Sequence, residues 1–144
     1  MNLTKNIDVS IIIVNYNNAK FLKKSLDTAL KQTYKFKEVI VIDDMSDDDS
    51  VKILKKYKSK IKYFVNKKKT IHGSYNQISC YYKGFQNSKG KYIFFLDSDD
   101  YFKKNKVKLV VKKFKDQTFK HILFDLPIIK NKKKLTKHKF IQKK

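Results

Sequence analysis

The sequence predicts an α/β layered domain, with a mainly parallel sheet and helices on both faces. Three observations predict it. Short β-branched or aromatic runs alternate with segments of helical periodicity, the connections between them are short, and several runs stop at clusters of Asn, Asp and Ser.

Val9 to Val14 (VSIIIV) reads as a buried strand, and Asn15-Tyr16-Asn17-Asn18 after it favours a turn and a helix start. From Ala19 to Gln32, Phe21, Leu22, Leu26, Ala29 and Leu30 recur at helical spacing, with lysines mostly on the other side. Glu38 to Ile42 (EVIVI) is a second strand, closed by Asp43 and Asp44. Ser46 to Ser50 then offers N-caps for a helix through Val51, Ile53, Leu54 and Tyr57, with Asp47, Asp48 and Asp49 as capping residues. Ile61 to Val65 is a third strand and Lys67 to Gly73 a loop. Tyr75 to Phe85 reads as a helix whose end is marked by Gly84, or by Ser88 and Gly90. Tyr92 to Leu96 (YIFFL) is apolar throughout, as a strand covered on both faces would be, and stops at Asp97-Ser98-Asp99-Asp100. Val107 to Phe114 reads as a fourth helix and His121 to Leu126 as a fifth strand. The domain is expected to span residues 1–126, and residues 127–144 to form a lysine-rich tail.

Composition narrows the class. The chain has 144 residues and a formal net charge of +22, with 11 Phe and 9 Tyr, so it carries enough apolar surface for a core and is not a disordered linker. All 35 basic residues are lysine. The accompanying abundance of Asn, Ile, Tyr and Phe is what an AT-rich genome over-encodes, which is cause enough for much of the charge. The missing arginine removes the bidentate donor that sequence-specific nucleic-acid readout favours. The lone Cys80 excludes an intrachain disulfide framework. No apolar run approaches the roughly 20 residues of a membrane-spanning helix, and Met1 to Asp8 lacks a signal-peptide layout, so a cytoplasmic location is expected. Contact with an anionic membrane surface stays open, since each lysine near such a surface adds about 1 kcal/mol.

In a parallel sheet, ligands bind outside the carboxyl ends of the strands. The polar clusters after strands one, two and four should therefore meet at one edge. Residues i and i+2 at a strand end point the same way, so Asp97 and Asp99 are expected to face the crevice while Ser98 points elsewhere. Two such carboxylates suit Mg²⁺ or Mn²⁺, and a divalent ion between them turns repulsion of a diphosphate into attraction.

VSIIIVNYN, VIVIDDMSDDDS and GKYIFFLDSDD, in this order and spacing, resemble family 2 glycosyltransferases of the GT-A (Rossmann-like) fold. The resemblance covers residues 8 to about 126, the nucleotide-sugar-binding half of that family's catalytic domain. It implies that Asn15, Tyr16 and Asn17 line a nucleotide pocket with Tyr16 near the base. Of the Asp43-Asp44 pair, Asp44 would hydrogen-bond the base, usually uracil. Asp97 and Ser98 would lie at the ribose or donor sugar, and Asp99, with Asp97, would contact the metal that bridges the diphosphate. The reaction implied is metal-dependent transfer of a sugar, most often from a UDP-sugar, to a glycan or lipid-linked acceptor hydroxyl, often in surface polysaccharide synthesis.

Two departures stand out. Where the family commonly has Arg-Asn before a Gly, this chain has Tyr81-Tyr82-Lys83-Gly84, so Lys83 offers a positive charge without a bidentate fork. The family's general base lies in an acceptor-binding half that follows the matched portion, and no motif here corresponds to it. The expectation is a donor site alone, in a truncated, frameshifted or split product. His72 and Gly73 fall where the family has a loop near the donor, although a solvated loop histidine is the simpler reading.

Rival readings are weaker. A response-regulator receiver carries its acidic pair after its first strand, whereas here a strand and helix precede it. An EF-hand starting at Asp44 would need Gly and Glu where Asp49 and Lys55 stand. A dinucleotide-binding turn would need glycines, and Asn15 to Asn18 has none. The non-enzymatic alternative is a basic module for nucleic acid or an anionic membrane, with the carboxylates as caps.

Overall fold

The computed structural model describes residues 7–35, 37–67, 73–115, 129–130 and 133–134. Four parallel strands alternate with four helices: β1 (Val9–Asn15), α1 (Ala19–Leu30), β2 (Lys37–Asp43), α2 (Ser50–Tyr57), β3 (Lys62–Val65), α3 (Gly73–Gln86), β4 (Tyr92–Asp97) and α4 (Lys106–Lys115). The sheet order is β3-β2-β1-β4. The fifth strand expected at His121–Leu126 lies outside the described residues. Within the stretch read as a lysine-rich tail, β5 (Ile129–Lys130) and β6 (Lys133–Lys134) pair as a short antiparallel ladder.

Handedness explains the layering. From β1 to β2 and from β2 to β3 the chain moves one way across the sheet, with α1 and α2 on one face. From β3 it must travel back past β2 and β1 to reach β4, and a right-handed crossover in that direction puts its helix on the opposite face. Accordingly α3 lies over β1 and β2 on that second face. The sheet is therefore covered on both sides at its centre, and all seven residues of β1 are buried.

Strand alternation divides the core. Val9, Ile11 and Ile13 of β1 join Leu22, Leu26 and Ala29 of α1, Leu54 of α2, and Val107 and Val111 of α4 in one apolar cluster. Val14 joins Ile40, Ile42 and Cys80 in the cluster under α3. Fully burying an Ile or Leu is worth about 1.5–3 kcal/mol, so the two clusters fix which face each strand residue takes. Gly84 lets α3 come this close, because a Cβ there would lie 2.3 Å from Ile12 Cγ2.

Candidate functional site

The direction of travel across the sheet reverses between β1 and β4, and a cavity of about 490 Å³ opens there at the carboxyl edge. The end of β1 contributes Val14, Tyr16 and Asn18 to its wall, and the end of β2 contributes Asp44. Asn76 and Gln77 come from α3, and Asp97, Ser98 and Asp99 follow from β4. The three polar clusters thus converge as the sequence predicts.

Alternation decides which residue of each cluster reaches the cavity. Asn15 and Asp43 are paired in register on the face away from α3, and both are fully buried. Val14 and Asp97 are paired on the α3 face, where the cavity lies. Of the residues expected at the nucleotide, Asn15 and Asp43 thus brace the wall and are not among the residues that line it. Asp43 Oδ2 accepts from Asn15 Nδ2 at 2.7 Å and from Ser46 Oγ at 2.7 Å, while its Oδ1 accepts from the Ser46 amide at 2.9 Å.

The same bracing joins the first two loops. Asn17, at φ 47°, donates its amide to Ser46 Oγ and accepts the Asp47 amide on its side chain. It too stands off the cavity wall, as a strut between loops. Asp48 accepts the Ala19 amide at the start of α1 and the Ser50 amide at the start of α2. Burial raises its pKa, but the bonds from Ser50 and Ala19 outweigh that and leave it lowered. Of the three aspartates expected as caps, Asp48 serves the starts of two helices, whereas Asp49, the N-cap residue of α2, makes no side-chain capping bond and meets Lys52 instead.

At β4 the expected alternation fails after the strand ends. The Asp100 amide closes a turn on the Asp97 carbonyl at 3.1 Å. This swings Ser98 inward, so that it is buried, lines the cavity and accepts from Asn18 Nδ2 at 3.0 Å. Asp99 is exposed at the cavity lip. Asp97 Oδ1 accepts from Gln77 Nε2 at 3.0 Å and from the Tyr81 hydroxyl, two α3 residues one helical turn apart. Burial and the Asp97 charge push the Tyr81 pKa well above its ordinary value, so it stays the donor. Asp100 is also raised, by burial first and then by the charges of Asp99 and Asp97, which marks this turn as a region of negative potential.

Asp44 is held from behind. Its amide donates to the Asn15 carbonyl at 2.8 Å, and its Oδ1 accepts from Asn66 Nδ2 at 3.0 Å. Lys83 does not line the cavity; its Nζ donates to Asn66 Oδ1 at 2.7 Å, above the Phe64 ring. Cys80 is buried against the same group, 3.2 Å from Asn66 Nδ2, with its pKa pushed up to about 11 by burial and by the Asp44 charge. Sequence reading placed Asn18 in the converging cluster without a role of its own, and missed Asn66, Gln77, Tyr81 and the wall residue Asn76 as site residues. The spacing of Gln77 and Tyr81 at i and i+4 was the available signal, and Asn66 carried one as the first polar residue after β3. His72 lies outside the described residues.

A parallel sheet in the order β3-β2-β1-β4, layered between helices and with an acidic crevice at its switch point, is the architecture of a GT-A domain. The chain belongs to glycosyl transferase family 2, whose profile matches residues 10–142. It is 40% identical over 99 residues to an uncharacterized glycosyltransferase of Rickettsia prowazekii, covering 69% of this chain and 29% of that protein. It is 39% identical over 99 residues to the Escherichia coli UDP-Glc:alpha-D-GlcNAc-diphosphoundecaprenol beta-1,3-glucosyltransferase WfaP, covering 69% of this chain and 38% of the relative. The crystal structure of S. aureus TarS 1–349 in complex with UDP superposes with a TM-score of 0.65 at 26% identity, covering 76% of this chain and 32% of that chain. The chain thus spans well under half the length of these relatives.

Proposed function

We propose that this chain binds the nucleoside diphosphate sugar donor of a glycosyl transfer, with a UDP-sugar as the donor and the switch-point cavity as the site. The observation that carries the reading is that Asp44, Asp97 and Asp99, on loops far apart in the sequence, share one cavity of about 490 Å³. A uracil presents an N–H donor, which Asp44 accepts beside the Tyr16 ring. The ribose and diphosphate then run along Asp97 and Ser98 toward Asp99.

Three carboxylates repel a diphosphate, and the residues on the wall include no lysine to offset them. The reading therefore includes Mg²⁺ or Mn²⁺. Asp99 and Asp97 supply two hard oxygen donors, and among the described residues no group of three or more His, Cys, Asp or Glu is placed to hold a metal alone. That donor set fits an ion completed by nucleotide phosphates and water. Bound there, the ion would neutralise the diphosphate and stabilise its departure. The chain's own part is positioning: Gln77 and Tyr81 fix the Asp97 carboxylate, and the Asn18–Ser98 bond fixes the adjoining wall.

The acceptor in this reading is a glycan or lipid-linked hydroxyl, as in surface polysaccharide synthesis. Support comes from the name of WfaP, whose acceptor is linked to diphosphoundecaprenol. A cytoplasmic chain of charge +22 suits work at an anionic inner-membrane surface. The base that deprotonates the acceptor is not assigned to any residue of this chain.

Calorimetry with UDP, with and without Mn²⁺, tests the donor site. Wild type is expected to bind more tightly with Mn²⁺, by about tenfold or more, and Asp99→Asn to abolish the difference. Equal heats for wild type and Asp99→Asn at saturating Mn²⁺ would remove the metal assignment, and no UDP binding under any condition would remove the function.

A further inference from the structure

We infer that Asn66 and Lys83 are positioning residues that give the site its preference for uracil, acting through Asp44 without touching the nucleotide. This rests on the reading that Asp44 accepts from the base. The argument turns on the sense of one amide. A carboxamide has a donor end and an acceptor end of nearly the same shape, and its orientation is set by its neighbours. A lysine ammonium has only donors, so the end of Asn66 that meets Lys83 Nζ at 2.7 Å must be Oδ1. Nδ2 is then forced toward Asp44, whose Oδ1 it meets at 3.0 Å. Backbone bonds fix the frame on both sides: the Asn66 amide donates to the Asp43 carbonyl at 2.8 Å and the Asp44 amide to the Asn15 carbonyl at 2.8 Å.

Without the ammonium, Asn66 Oδ1 loses its partner and the side chain is held by Asp44 alone, so it is free to withdraw. Asp44 would then rotate off its aim or lose the Asn66 donor that holds it. Either change weakens recognition of the uracil N3–H. Cytosine has an acceptor at the same ring position, so the carboxylate disfavours it, and that penalty would shrink as well. Lys83 thus acts on base choice from behind the cavity, through a single hydrogen-bonded carboxamide. Gly84, the next residue, holds α3 against Ile12 and so keeps the ammonium at a fixed height over Asn66.

The test measures UDP and CDP affinities, both with Mn²⁺, for wild type, Lys83→Met, Lys83→Arg and Asn66→Leu, with thermal melting of each. Wild type is expected to favour UDP. Lys83→Met and Asn66→Leu should each reduce the UDP:CDP ratio by about tenfold, the scale of one misaligned hydrogen bond. Lys83→Arg, also a pure donor, should restore most of the ratio. A ratio unchanged in Lys83→Met, or reduced equally in Lys83→Arg and Lys83→Met, overturns the inference. If Lys83→Met melts before it can be titrated, Asn66→Leu and Lys83→Arg decide together: a reduced ratio in Asn66→Leu with a near-wild-type ratio in Lys83→Arg supports the inference, and any other pairing defeats it. Wild type that binds UDP and CDP equally defeats it too, whereas wild type that binds neither defeats the donor-site reading beneath it.

Discussion

Asp43 and Asp44 are chemically identical neighbours that the fold gives opposite duties. One residue of strand alternation separates them: Asp43 turns to the α1 and α2 face beside Asn15, and Asp44, just past the strand, turns to the cavity under α3. Their substitutions should therefore separate stability from binding. Asp43→Ala takes the acceptor from the half-buried Ser46 amide and hydroxyl and leaves Asn15 Nδ2 only its longer bond to Ser46 Oγ at 3.1 Å. At about 1–3 kcal/mol for each unsatisfied buried group, with relaxation of the loop, a loss of about 3 kcal/mol is expected in urea denaturation. Asp44→Ala gives up one bond from Asn66 and should cost about 1 kcal/mol while lowering UDP affinity more than tenfold. The reverse ranking in denaturation would mean the two roles are exchanged. The acidic pair and its place at a strand end were legible in the sequence; which member faces the cavity came from the family resemblance alone, because alternation gives parity only once the strand's last residue and the covering helix are known. Ser98 makes the same point, since the Asp97–Asp100 turn ends the alternation on which its outward direction was predicted.

Helix α3 links the sheet to the site, and it does so through a contact with no slack. It brings Gln77 and Tyr81 onto Asp97 and Lys83 onto Asn66, while Gly84 rests on Ile12. In Gly84→Ala the new methyl would fall 2.3 Å from Ile12 Cγ2, and Ile12 is fully buried in the central strand, so α3 must lift. Overpacking of this kind costs about 1–3 kcal/mol, and lifting the helix also withdraws its donors from the carboxylates. The contact is specific enough for a double-mutant cycle. Ile12→Ala removes the obstructing methyl, so Gly84→Ala should cost at least 1 kcal/mol less in that background. Additive losses in thermal or urea unfolding would show that the helix is strained elsewhere. Apolar periodicity marks α1, α2 and α4, whose buried stripes are what that pattern records, whereas α3, which exposes Tyr75, Ile78, Tyr82 and Phe85, was bounded by the glycines near its end. It is silent about Gln77 and Tyr81, whose positions are set by a strand distant in sequence, so the helix was visible and its working face was not.

At the scale of the whole molecule, sequence order alone carried the main result, since four β-strands with short helical crossovers and right-handed connections leave little choice of where the loops meet. What it did not carry is the distribution of charge. A chain of +22 places three carboxylates on the wall of its one described cavity and spreads its lysines elsewhere. Among the described residues, four lysines stand in ion pairs with carboxylates. Lys62 meets the largely buried Glu38 at 2.7 Å and Lys23 reaches the half-buried Asp27, but the Lys52–Asp49 pair stands in solvent on both sides, where such pairs contribute little. The excess must then act as self-repulsion, which is stronger in the compact state than in an expanded one and is weakened by salt. Between about 0.01 M and 0.1 M ionic strength the Debye length falls from about 30 Å to about 10 Å, so the thermal midpoint of the free protein should rise over that range. Association with UDP should move the other way, because the same lysine field that strains the fold draws the anionic nucleotide toward the molecule, and screening removes that steering. Melting and stopped-flow binding in one salt series measure both. A midpoint that stays flat or falls with salt, while the association rate slows, would show that the lysines steer the ligand without straining the fold, and that their repulsion is relieved in ways pairwise contacts do not reveal.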